Sequence, residues 1–165
     1  ALRTPTKDAE DIKIKYGCAL RQLANDAPIE VPGVGERGAR MLSRQTLADV
    51  IEPRVEELYS LVQAELRRSG FEDLLSSGIV ITGGSSAMQG MVELGEEIFH
   101  MPVRLGLPRY TGGLADVVKT PRFATAIGLL HYGMEQQQRD AVARMQSASI
   151  GDVLSRMKAW MQKNF

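Results

Sequence analysis

Residues 79–90, IVITGGSSAMQG, set two glycines and two serines between a β-branched run and a helical stretch. Glycine lacks a Cβ, so Gly83 and Gly84 would let a ligand approach the backbone closely and would accept positive φ. Ser85 and Ser86 can cap the helix that follows, beside free N–H groups suited to an anion. The same glycine pair suits a tight turn at a strand end with no ligand at all, and these residues alone leave the two readings level. A second candidate is residues 147–165, SASIGDVLSRMKAWMQKNF. Ile150, Val153, Leu154, Met157, Trp160, Met161 and Phe165 recur there at helical spacing. Arg156, Lys158 and Lys163 are basic, and Asp152 is the one acid. An apolar stripe with a tryptophan and flanking cations describes a helix lying in a membrane interface. Each such cation near an anionic leaflet contributes about 1 kcal/mol. A helix docked on a core would show the same stripe, but the polar stretch before it and the sole tryptophan favour the interface. A third candidate is Arg54, which follows Pro53 among Glu52, Glu56 and Glu57, with Arg40 and Arg44 nearby in sequence. By charge pattern alone this is a solvated, salt-bridged face.

Other chemistries are excluded. Gly33, Gly35 and Gly38 are irregularly spaced and open no helix with a lysine, so they read as a turn and not as a phosphate loop. There is no GxxxxGK[ST] segment, and the two histidines, His100 and His131, belong to no catalytic constellation. The single cysteine, Cys18, rules out a disulfide framework within the chain and a multi-cysteine zinc site. The 165 residues carry 20 basic and 20 acidic side chains, which argues against a uniformly basic nucleic-acid binder. That balance hides a polarity: residues 141–165 hold four basic groups and one acid, net +3, and the other 140 residues are net −3. No apolar run approaches the ~20 residues of a spanning helix. With 44% hydrophobic residues a packed core is expected, and an opening Ala in place of Met suggests a fragment.

The elements that must position these residues follow from periodicity and capping. Residues 6–15 read as a helix, with Thr6 as N-cap, acids in the first turns, lysines at the end and Gly17 as stop. A short strand is expected at 18–22, and a hairpin from 29–31 and 39–42. Ser43 caps a helix that Pro53 should divide, since proline removes an interior hydrogen bond. The second helix, 53–68, would bury Val55, Leu58, Leu61, Val62 and Leu66 and end at Gly70. The run 77–82 reads as a parallel strand covered on both faces. A helix carrying Met91, Val92, Leu94 and Ile98 and a strand at 101–107 complete a β-turn-α-β unit, so the class is α/β. A loop at 111–113, a short helix at 114–118 and a core helix at 122–131 follow. Residues 135–149 read as a polar linker.

This order of elements resembles the second lobe of an actin-like (RNase H-like) ATPase with a small α+β inserted subdomain. Within that superfamily it is similar to the FtsA family of bacterial cell-division proteins. The residues carrying the resemblance are AEDIKIKYGCAL (9–20), LSRQTLADVIEPRVEEL (42–58), GIVITGGSSAMQGM (78–91), PRFATAIGLLHYGM (121–134) and the final helix. It implies an inserted subdomain over 1–72, a core subdomain over 73–134, a linker over 135–149 and a membrane-targeting helix over 150–165, in the C-terminal part of a longer protein. It further implies that Gly83, Gly84 and Ser85 contact adenosine, with Ala87 and Met88 beside the base. Glu10 and Lys13, spaced by three on one helix face, would reach ribose and adenine; without the resemblance they are an exposed ion pair of little worth. The nucleotide would be ATP with Mg2+ in the full-length protein. This chain alone would bind it weakly or not at all and would not be an enzyme, because the phosphate loops and acidic metal ligands belong mostly to the first lobe. The resemblance also implies binding of the acidic C-terminal peptide of the tubulin-like protein FtsZ, with Arg54 as anchor and Arg40 as a weaker one. Self-assembly into actin-like filaments, in which Arg40 would take part, and attachment to anionic lipids of the inner membrane at the division septum complete the expectation. The alternative is the nucleotide lobe of another actin-like ATPase, a chaperone, sugar kinase or pilus-assembly protein, which would lack the terminal helix.

Overall fold

The computed structural model describes residues 2–35, 37–109, 118–147 and 150–164. It is a mixed α/β structure in two compact units, residues 1–124 and 125–165. In the first unit, α1 spans Thr6–Tyr16. Thr6 lies inside the helix, and Pro5, which has no side-chain donor or acceptor, occupies the cap position. The helix starts there because the Pro5 carbonyl accepts from Ala9 N–H at 2.9 Å. At the other end Gly17 N–H donates to Lys13 O at 2.9 Å, and a Cβ on Gly17 would sit 2.4 Å from that oxygen. The strand expected at 18–22 is reduced to one parallel bridge, Cys18 with Gln89, before a 3-10 turn at Arg21–Leu23. Arg21 explains the difference: its N–H donates to the Glu52 carboxylate and its guanidinium pairs with Asp49 at 3.2 Å, curling the segment against the next helix.

The hairpin forms as expected. Strands β1 (Pro28–Val31) and β2 (Arg40–Ser43) pair antiparallel, with Ile29 opposite Leu42 and Val31 opposite Arg40. Ile29 and Val31 are fully buried with Ile12 of α1 and Leu47, so the hairpin is the floor on which α1 rests. Helix α2 runs Arg44–Ser69, capped by Ser43, whose Oγ accepts from Thr46 N–H, and closed by Gly70 at φ 73°. Pro53 does not divide it. Its missing N–H costs one bond to the Asp49 carbonyl, and the buried anchors Leu47 and Ala48 before it and Val55 and Tyr59 after it hold the axis continuous. The expected apolar face is also rotated: Leu58, Leu61 and Val62 are exposed. Tyr59 takes the core position, its hydroxyl donating to Met91 O at 3.0 Å and its ring 5.1 Å from that of Phe99.

Strands β3 (Ile79–Ile81) and β4 (Val103–Leu105) pair in parallel, with α3 (Met91–Phe99) between them in sequence. Val80 is half exposed, so β3 is covered on one face and not on two. The main core joins Val55 and Tyr59 of α2, Met91, Leu94 and Phe99 of α3, Val103 of β4, and Ala19 and Leu20. The loop and short helix expected at 111–118 lie outside the described residues except for Val118. A 3-10 turn, Pro121–Phe123, replaces the first turn of the expected core helix.

The second unit holds α4 (Ala124–Ser147) from its second residue on, and α5 (Ile150–Asn164). The stretch expected as an irregular linker is helical as far as Ser147. Its Glu, Gln, Arg, Ala and Met residues are strong helix formers uninterrupted by Gly or Pro, and Glu135 pairs with Arg139 one turn on at 3.9 Å. Polarity there marks a solvated helix and not an irregular chain. Among the described residues no helix is long and apolar enough to cross a membrane.

Candidate functional site

The glycine turn is built by backbone geometry. Gly83 adopts φ 99°, where an L side chain is strained. The chain then makes a 3-10 turn, Gly84–Ala87, which Ser86 closes by donating its hydroxyl to Gly83 O at 2.7 Å. Ser86 therefore stabilises the turn, and neither serine caps α3, whose N-cap position is taken by Gly90 at φ 86°. A Cβ on Gly90 would meet Leu20 N at 2.8 Å, so this glycine is demanded by close packing. A Cβ on Gly84 would meet only the Arg122 Cβ, at 3.8 Å, so the space in front of it is open.

That space is a cavity of about 490 Å³ lined by Glu10, Lys13 and Ile14 of α1, by Gly84, Ser85, Ala87 and Met88, and by Thr120, Pro121 and Arg122. Its volume falls in the range, roughly 300–1,000 Å³, of small-molecule sites. α1 presents its two faces differently: Ile12 points into the core, and Glu10, Lys13 and Ile14, at i, i+3 and i+4, face the cavity. Lys13 Nζ donates to Glu10 Oε2 at 2.6 Å, which fixes both side chains at the rim. Ile14 is 72% exposed, an apolar side chain left open to the cavity. Opposite, the Arg122 guanidinium lies over the Phe123 ring at 5.2 Å. Apolar walls of Ile14, Met88 and Pro121, a glycine that offers bare backbone, and the cations Lys13 and Arg122 can take a flat heteroaromatic ligand bearing an anionic group. Among the described residues no three His, Cys, Asp or Glu side chains gather as a metal site would require.

The structure thus brings Glu10, Lys13, Gly84, Ser85, Ala87 and Met88 around one cavity, with Gly83 at the start of the turn. Ile14, Thr120, Pro121 and Arg122 were not legible as members. Ile14 could have been found from its place one turn after Glu10. The other three carry no local signal and arrive through contact of the 3-10 turns at 84–87 and 121–123. Arg54 and Arg40 are not cavity residues. Arg54 lies on α2, exposed and paired with Glu57 one turn on. Arg40 opens β2 and donates to Leu2 O. In α5, Leu154, Met157, Trp160 and Met161 are all exposed, as are Arg156, Lys158 and Lys163. The side chains of Ile150 and Val153, and Phe165 as a whole, lie outside the described residues.

Small parallel and antiparallel sheets flanked by helices, with a glycine turn facing a charged helix across an open cavity, define a mixed α/β protein. Residues 1–128 match the family described as cell division protein FtsA, and the chain belongs to that family. It is 57% identical over its whole length to cell division protein FtsA of Pseudomonas aeruginosa, covering 41% of that protein. It is 45% identical to the FtsA of Neisseria meningitidis serogroup B, covering 41%, and 42% identical to that of Escherichia coli K12, covering 42%. The chain spans about two fifths of the length of these relatives. Membership displaces the chaperone, sugar-kinase and pilus-assembly alternatives.

Proposed function

We propose that the chain is the partner-binding and membrane-binding portion of an actin-like tether, which holds FtsZ polymers to the cytoplasmic face of the inner membrane at the division septum. The observation that carries this reading is α5: Leu154, Met157, Trp160 and Met161 stand exposed at helical spacing beside Arg156, Lys158 and Lys163. An exposed apolar stripe of this size seeks cover, and its cations select an anionic lipid surface. Ile150, Val153 and Phe165 extend the same stripe in sequence. The acidic peptide of FtsZ would dock on the first unit with Arg54 as its charge-assisted donor, released from Glu57, and Arg40 as a secondary contact. Arg40 would also contribute to stacking of actin-like subunits.

The cavity supports a nucleotide ligand. Glu10 and Lys13 suit ribose and adenine, the Gly83–Gly84–Ser85 backbone allows close approach, and Met88 and Ile14 offer apolar contact to a base. The Mg2+ ligands and the phosphate loops would come from the rest of the relatives' length, so ATP acts here as a conformational ligand and this chain performs no catalysis.

The test is co-sedimentation with vesicles containing anionic phospholipid, with and without a synthetic acidic FtsZ tail peptide. The expected result is that Trp160→Glu reduces vesicle binding at least about tenfold, as placing a charge in the interface predicts. Arg54→Glu should still sediment but no longer retain the peptide. Vesicle binding by Trp160→Glu equal to that of the unchanged chain rejects the tether, and peptide retention by Arg54→Glu removes Arg54 from the peptide site.

A further inference from the structure

Two side chains outside the cavity hold its walls together. Arg44 is the first residue of α2, directly after β2, and its backbone N–H donates to Ala27 O at 2.9 Å. Its guanidinium reaches in two directions. Nε donates to the carbonyl of Tyr16, the last residue of α1, at 2.9 Å, and Nη2 donates to Gln89 Oε1 at 2.7 Å. α1 is the wall that carries Glu10, Lys13 and Ile14, and Gln89 directly follows Met88, the end of the opposite wall. Gln89 is held by its backbone as well: its carbonyl accepts from Ala19 N–H at 2.8 Å beside the Cys18 bridge. Both walls therefore meet on one guanidinium. There is little slack at that point, because a Cβ on Gly17 would lie 3.2 Å from the Met88 sulfur. A planar guanidinium can serve two acceptors in different directions at fixed geometry, and a lysine ammonium does so poorly.

We propose that Arg44, acting through Gln89, is a positioning residue that sets the spacing of α1 against the Gly84–Met88 turn and so tunes affinity for the ligand of the cavity. This rests on the reading of that cavity as a nucleotide site.

The test uses the full-length protein that carries these residues, with fluorescent N-methylanthraniloyl-ATP as the probe. Independently, spin labels are placed at the exposed positions Lys7→Cys and Glu93→Cys on α1 and α3; Cys18 is fully buried and stays unlabelled. Gln89→Ala and Arg44→Lys are expected to weaken probe binding about 3- to 10-fold, the effect of one hydrogen bond, and to broaden the label distance. Gln89→Glu keeps an acceptor for Arg44 and should bind the probe within about twofold of the unchanged protein. Unchanged affinity in both weakening variants overturns the proposal. So does a loss that Gln89→Glu fails to rescue while the label distance stays fixed, since that marks general damage to the site. If the unchanged protein binds no probe, the nucleotide reading falls and the labels alone decide: a broadened distance in Gln89→Ala supports the clamp, and an unaltered one overturns it.

Discussion

Tyr59 shows how much a single residue carries in a core this small. It is 5% exposed, its ring packs on Phe99, and its hydroxyl spends its one donor on Met91 O. Burial pushes its pKa above the ordinary tyrosine value. A group whose pKa is raised on folding contributes stability that is complete below the unfolded pKa, about 10, and is lost as pH rises through the folded value. Tyr59→Phe should therefore lower stability by about 1 kcal/mol at neutral pH, the worth of one hydrogen bond, and should flatten the alkaline decline. Urea unfolding at pH 7 and above pH 10 checks both, and an unflattened alkaline limb in the variant contradicts the assignment. The position was not legible because aliphatic spacing alone points to Leu58, Leu61 and Val62. A tyrosine reads as amphipathic until a buried acceptor for its hydroxyl is known. Glu10 and Lys13 were legible from spacing only as a pair on one helix face, since i, i+3 is a local property, and their place at a site came from the family resemblance. Arg122 was not, because it meets Gly84 across 38 residues of chain.

Among the elements, α2 and α4 are where local rules and the fold part company. Proline inside a helix usually ends it, yet α2 continues through Pro53 because buried residues on both sides fix its axis. Such a helix retains the local penalty. Pro53→Ala restores an N–H for the Asp49 carbonyl and should raise stability by about 1–3 kcal/mol, the helix-propensity gain less the entropy the freed unfolded chain regains. The midpoint of urea unfolding measures it, and a lowered midpoint would mean that the proline ring is needed for packing of α2. The hairpin, the β3-turn-α3-β4 unit and the caps at Ser43 and Gly70 were legible because turn chemistry, β-branching and capping are short-range signals. The helical state of 135–147 was hidden because a polar, aromatic-free composition is shared by linkers and solvated helices, and only residue propensity separates them.

At the scale of the whole molecule, the cavity is open to solvent beyond its two walls. Ile14 stands open, and Gly84, Ser85, Ala87 and Arg122 are exposed, so a nucleotide resting there would keep much of its surface in water. Tight small-molecule sites cover most of the ligand, and uncovered area returns little binding energy. The chain spans about two fifths of its relatives' length, and the remainder is long enough to supply a cover. Two cations, Lys13 and Arg122, line the cavity, fewer than the negative charges of a triphosphate. The 165-residue chain should accordingly bind ATP with Mg2+ at least about 100-fold more weakly than the full-length protein, a difference of roughly 2.7 kcal/mol. Titration calorimetry on both decides it. Low-micromolar binding by the chain alone would show that these ten cavity residues suffice and that no further cover is needed. Equal weakness in both would remove the nucleotide from the cavity, leaving the proposed lipid contact of α5 to stand independently, because none of its residues lines that space.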